Sequence, residues 1–265
     1  MSAFYARAAA DTERYVASAS TVGPWDPNLQ HGSPVASLLA TRVERALVAR
    51  AAGPERVRVA HFSMDFLSAV PVATLAVDAS IARPGKKIEL WTASASVDGK
   101  TFARANAWVL QAKSHQTDEA HLDDPPPPMP AVAESTYFDA VPRFGYGDAL
   151  EWRFSEGSFR EIGPATVWSK LRVAIVEGEE VSPLARALAM IDSANGISAE
   201  LDVRTHLFVP VNLTVSMTRE PEGEWVGMRA ITSLASDGVG TTRARIFDSR
   251  GTVGRALQTL FVEKR

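Results

Sequence analysis

The chain of 265 residues has no cysteine, which excludes disulfides, a thiolate nucleophile and a Cys-ligated metal. Histidine is nearly as scarce. The five present, at 31, 61, 115, 121 and 206, show no His-Glu-x-x-His or comparable spacing, so neither a metal nor another cofactor is expected. No apolar run approaches the ~20 residues that span a bilayer, and the opening MSAFYARAAADTERY lacks a hydrophobic signal core. A cytoplasmic location without a membrane partner is the expectation. Concentrated positive charge is missing as well: 28 Lys and Arg stand against 31 Asp and Glu, with no basic run, which argues against a nucleic-acid partner.

What is present is 46% apolar and 22% charged residues, enough for one large core or two smaller ones. The order of residues says more, because the chain is written twice. Ser33 to Glu44 (SPVASLLATRVE) reappears as Ser182 to Ser193 (SPLARALAMIDS) 149 residues later. Pro71 answers Pro221 and Asp98 answers Asp248 at 150, and Arg104-Ala105 answers Arg255-Ala256 at 151. Such an echo assigns one folding unit to each half. Residues 114–136 are polar and acidic, then carry a run of four prolines, and read as an exposed spacer that joins no core. The expected repeats are therefore 1–113 and 137–265.

Each repeat begins with a helix. Val35, Leu38, Leu39, Val43, Ala46 and Leu47 recur at helical spacing, leaving Ser37, Thr41, Glu44 and Arg45 toward the other side. Pro34 and Pro183 each follow a Ser, which suits a capping Ser with Pro at the first helical position. Period-two alternation follows in Trp91, Ala93, Ala95 and Val97, and again in Leu207 through Met217, which predicts strands. Asp98-Gly99-Lys100 and Asp248 to Gly251 read as hairpin turns. One amphipathic helix of ~15 residues buries its stripe best against the concave face of a twisted antiparallel sheet. The expected class is α+β, a hotdog arrangement duplicated in tandem.

The copies differ where chemistry would be done. Counting by four from Leu184 gives Leu188 and Asp192, so a carboxylate falls on the apolar stripe, whereas its counterpart in the first helix is Val43. A buried carboxylate costs several kcal/mol unless bonded or beside a wet cavity, and such acids concentrate at active sites. Asn195-Gly196 also resembles a helix stop, which would leave the acid facing solvent. His31-Gly32-Ser33 precedes the first helix, where glycine admits a ligand and free amides favour an anionic oxygen; the second half has Glu180-Val181-Ser182 there. Gln258 replaces Ala107 of the first copy, and Asn212 and Thr214 share one face of a predicted strand.

At these residues the chain resembles the double-hotdog acyl-CoA thioesterases of the thioesterase-II-like branch. The resemblance rests on GPWDPNLQHGSPVASLL, DFLSAVP with IARPGKKIE, ALAMIDSANGI, NLTVSMTREPEGEW and GRALQTLFVEKR, in that order. It implies hydrolysis of an acyl-CoA thioester, with water activated by Asp192 and Gln258. The family's third member is a hydroxyl residue, and Pro210 stands in its place, so Asn212 or Thr214 is the expected substitute. His31, Gly32 and Ser33 are the implied oxyanion and substrate contacts, and Arg83, Lys86 and Lys87 the implied phosphate contacts. Acyl-CoA is the implied partner, a homodimer is an admissible assembly, and a non-catalytic acyl-CoA binding protein and a hotdog hydratase are the rival readings.

Overall fold

The computed structural model describes residues 2–9, 13–50, 57–113, 116–120, 125–133, 137 and 141–265. The first half contributes β1 (Ala3–Arg7), β2 (Arg14–Ala17), α1 (Gly32–Arg50), β3 (Val57–Phe66), β4 (Thr74–Arg83), β5 (Ile88–Val97) and β6 (Lys100–Gln111). The second contributes α2 (Gly145–Asp148), β7 (Leu150–Glu156), β8 (Ala165–Leu171), β9 (Ala174–Val176), α3 (Pro183–Ile191), α4 (Ala194–Ile197), β10 (His206–Pro210), β11 (Asn212–Met217), β12 (Trp225–Leu234), β13 (Val239–Asp248) and β14 (Gly251–Lys264).

The strands form one sheet in the order β7-β8-β12-β13-β14-β11-β3-β6-β5-β4-β2-β1-β9, with β10 paired to β14. Strand by strand, β2-β4-β5-β6-β3 in the first half matches β8-β12-β13-β14-β11 in the second. The halves meet where β11 pairs antiparallel with β3, from Asn212 opposite Asp65 to Ser216 opposite His61. A second junction lies at the far edge, where β9 runs parallel to β1. Alternation along the strands puts Leu213, Val215 and Met217 inward on β11, and Trp91, Ala93 and Ala95 inward on β5. At the β5–β6 hairpin Asp98 and Gly99 both take positive φ, 48° and 80°, the backbone that a two-residue turn with the right twist requires.

The helices lie against this inner face, α1 over β4, β5 and β6, and α3 over β8 and β12. They also pack on each other, which changes the reading of the polar side of α1. Ser37 is fully buried and its hydroxyl reaches Ala185 O at 3.0 Å, while Glu44 accepts a hydrogen bond from Ser182 Oγ at 2.6 Å. That side meets the second helix instead of solvent. The second repeat lacks a long helix: α3 stops at Ile191, Asp192 caps it, and α4 restarts at Ala194. Ser182 caps α3 by accepting from Ala185 N–H at 3.0 Å. In α1 the corresponding Ser33 lies inside the first turn, and the imidazole of His31 accepts from its N–H at 3.1 Å.

The proline run adheres to the outer face of the second half. Trp168 Nε1 donates to Pro127 O at 3.2 Å, Ser155 Oγ to Pro128 O at 2.9 Å, and Arg153 to Pro130 O at 3.2 Å. Trp168 in turn meets Phe247 edge to face, at 5.0 Å between ring centroids, so the prolines cover a small outer apolar layer. Among the described residues no helix is long and apolar enough to cross a membrane.

Candidate active site

Where α3 ends, the backbone turns and Asp192 points back under the N-terminus of α1. Its side chain is buried, with the residue 4% exposed. Gln258 Nε2 donates to Asp192 Oδ1 at 3.0 Å and to its carbonyl at 3.1 Å, while Gln258 Oε1 accepts from Asn195 N–H at 3.2 Å. The glutamine thus binds the acid and the helix break together. Burial pushes the Asp192 carboxyl up to about 7, against the opposing pull of the hydrogen bonds from Gln258 and the Gly32 amide. A Cβ at Gly32 would sit 2.4 Å from Asp192 Oδ2 and 2.4 Å from Phe66 Cζ, so any larger residue there displaces these side chains.

His31 completes the polar group. Its ring stacks on Tyr146 with centroids 3.8 Å apart and an interplanar angle of 11°. Burial drives its pKa down to about 3, so the imidazole is neutral at working pH. Because Nδ1 accepts from the Ser33 amide, the ring proton is assigned to Nε2. The 3.5 Å approach of Nδ1 to Asp192 Oδ2 is therefore no ion pair. The Tyr146 hydroxyl lies 2.7 Å from Ser193 Oγ, 3.1 Å from Ser33 Oγ and 2.9 Å from Ala189 O, tying the N-terminus of α1 to the C-terminus of α3.

These groups border a cavity of about 300 Å³ between the halves. Asp192, His31 and Gly32 line it, together with Tyr146, Ser193, Ser68 and Pro210, and its remaining wall is largely aromatic and aliphatic. Gln258 stands behind the acid, fully buried. The structure does not bring Asn212 and Thr214 to this place. Thr214 lies opposite Leu257 across the strand pair, and Leu257 is 49% exposed, so both strand residues belong to the outer sheet face. Asn212 Oδ1 there accepts from Thr259 N–H at 2.9 Å.

A buried acid, a neutral histidine and a glycine-floored cavity could serve several chemistries. The sequence matches the family model for the acyl-CoA thioesterase N-terminal domain over residues 21–110 and that for the C-terminal domain over 117–262. The chain belongs to the acyl-CoA thioesterase family. Among solved structures, a candidate thioesterase II of Thermobifida fusca YX aligns at 18% identity with a TM-score of 0.71, covering 98% of this chain and 95% of that one. A protein with the hot dog fold from Alicyclobacillus acidocaldarius gives 16% identity and 0.71, covering 96% and 95%. The acyl-CoA thioesterase II TesB2 of Mycobacterium marinum gives 13% and 0.62, covering 92% and 95%. No curated protein matches the sequence.

Two further features of the thioesterase differ from the sequence reading. Arg83 ends β4, and Lys86 and Lys87 lie on the β4–β5 loop, whose neighbour Glu89 binds Arg50 at the C-terminal end of α1. A helix of 19 residues spans ~28 Å, so that loop is a helix length from the acid and lines no part of its cavity. At the place related by the repeat, Val43 is buried as expected. The next residue, Glu44, is the acid that meets the start of α3, where its Ser182 bond is made and burial pushes its pKa to about 7.

Proposed function

We propose that the thioesterase hydrolyses acyl-CoA by direct attack of a water molecule for which Asp192 is the general base. The carrying observation is that a fully buried glutamine holds Oδ1 while the carboxyl remains on the cavity wall. Asp192 takes a proton from water as the oxygen attacks the thioester carbon, and collapse of the tetrahedral intermediate breaks the C–S bond. The proton returns to the departing sulfur, leaving a carboxylic acid and CoA. The amides of Gly32 and Ser33 are engaged with Asp192 and His31, so the oxyanion donor is His31 Nε2–H, held by its stack on Tyr146. Among the described residues Ser68, Tyr146 and Ser193 are the hydroxyl-bearing residues that line the cavity, and these replace Asn212 and Thr214 as candidates for orienting the water. One site per chain results, with His31 and Gly32 from residues 1–113 and Asp192 and Gln258 from 137–265.

Release of free CoA from a panel of acyl-CoAs tests the reading, because a binding protein and a hydratase liberate none. The Asp192→Asn variant keeps the shape and removes the base, and its turnover should fall by ~10²–10⁴. A variant as fast as the parent would falsify the mechanism.

A further inference from the structure

Coenzyme A is far larger than a cavity of about 300 Å³, so its arm must leave through the open side. Trp25 and Val211, 39% and 42% exposed, mark that side. The acyl group is left to fill the interior, and the interior wall is rich in aromatic rings. Phe144, Tyr146, Trp152 and Phe159 all line it, each less than a tenth exposed. Trp152 and Phe159 meet at 81° with centroids 5.3 Å apart, and Tyr146 meets Trp152 at 70° and 6.2 Å. Each ring is fixed by its neighbours, and Trp152 is pinned further by its indole bond to Gly147 O at 3.0 Å. Among the described residues no methionine lines the cavity, so the wall they form lacks the adaptable side chain that moulds itself to flexible chains.

Resting on the hydrolase reading above, we infer that the preferred substrates are arylacyl thioesters, in which an aromatic ring occupies the blind end formed by Trp152 and Phe159. Perpendicular rigid rings present both faces and edges, and a flat guest ring satisfies both with offset and edge contacts. A straight alkyl chain of equal carbon number gains only area, and it must freeze several rotatable bonds to do so. The small volume also limits the length of acyl chain that the interior can hold.

The test compares phenylacetyl-CoA with octanoyl-CoA, which match in acyl carbon count. On the wild-type protein kcat/KM for phenylacetyl-CoA should exceed that for octanoyl-CoA at least tenfold, with palmitoyl-CoA lower still. Calorimetric titration of the Asp192→Asn variant should show the same order in Kd, independently of catalysis. Equal or tighter binding of octanoyl-CoA overturns the inference, as does a kcat/KM that climbs with straight-chain length. Tight phenylacetyl-CoA binding without hydrolysis by wild type upholds the aryl pocket and overturns the hydrolase reading; failure of both ligands to bind overturns both. Phe159→Ala, with Phe159→Leu as a milder second variant, removes the back wall and should shift the preference toward decanoyl-CoA.

Discussion

With its pKa held near 7 by burial, Asp192 is protonated in the native state up to about neutral pH, whereas in the unfolded chain it ionises near its ordinary value of 3.8. Between those values the native state binds the extra proton, so stability declines as pH rises through this window and stays reduced above it. Catalysis needs the other form, and kcat should rise through pH ~7 to a plateau. A shift of this size corresponds to roughly 4 kcal/mol at most by linkage. Asp192→Asn should therefore raise Tm at pH 8 and lose that advantage near pH 4. Melting curves at the two pH values check this, and an unchanged or lower Tm at pH 8 would show that the carboxylate is not a burden to the fold. The sequence made this residue legible because its own repeat supplied the control, Val43. Tyr146 had no such control, since it lies outside the segments that echo between the halves. The misplacement of Asn212 and Thr214 has another cause. Parity groups them on one face, but Leu213, Val215 and Met217 occupy the face that meets the helices, and Gln258 belongs to that inner face.

At the level of elements, the paired helices decide the geometry. The apolar stripe of α1 and the strand alternation could be read directly, since each follows from burial against a sheet. Contact between the two helices could not, because Ser37 and Glu44 look like solvent-facing residues until a second helix covers them. Asn195-Gly196 did mark a helix end near Asp192, and α3 stops at Ile191, but nothing in the spacing showed that the acid turns inward at the break instead of facing solvent. The N-terminus of α1 is consequently fitted against that break with no spare room at Gly32. Gly32→Ala should fold, because alanine favours helix by up to ~1 kcal/mol and the Phe66 ring tip can yield. The Asp192 carboxylate cannot yield without losing its Gln258 bond, so kcat should fall more than tenfold while Tm changes by only a few degrees. A normal kcat in this variant would show that the acid tolerates displacement and that Gln258 does not fix it.

For the whole molecule, the composite site makes neither half sufficient. Residues 1–113 and 137–265 expressed separately should each release no CoA from any thioester, and mixing them should restore activity. A rate near that of the full chain from 137–265 alone would sink the composite site. The duplication was legible from the offsets near 150, but the pairing of β3 with β6 and the joining of the halves through β3 and β11 were not, since pairing between distant strands leaves no periodic trace. That seam also bears on solubility. Separated halves would bare the hydrogen-bonding edges of β3 and β11, and a long unpaired strand flanked by apolar side chains such as Val59, Phe62 and Met64 is a template for aggregation or exchange with another copy. Fusing the two units into one polypeptide holds each edge at a high effective concentration of its complement, which favours closing the seam over self-association.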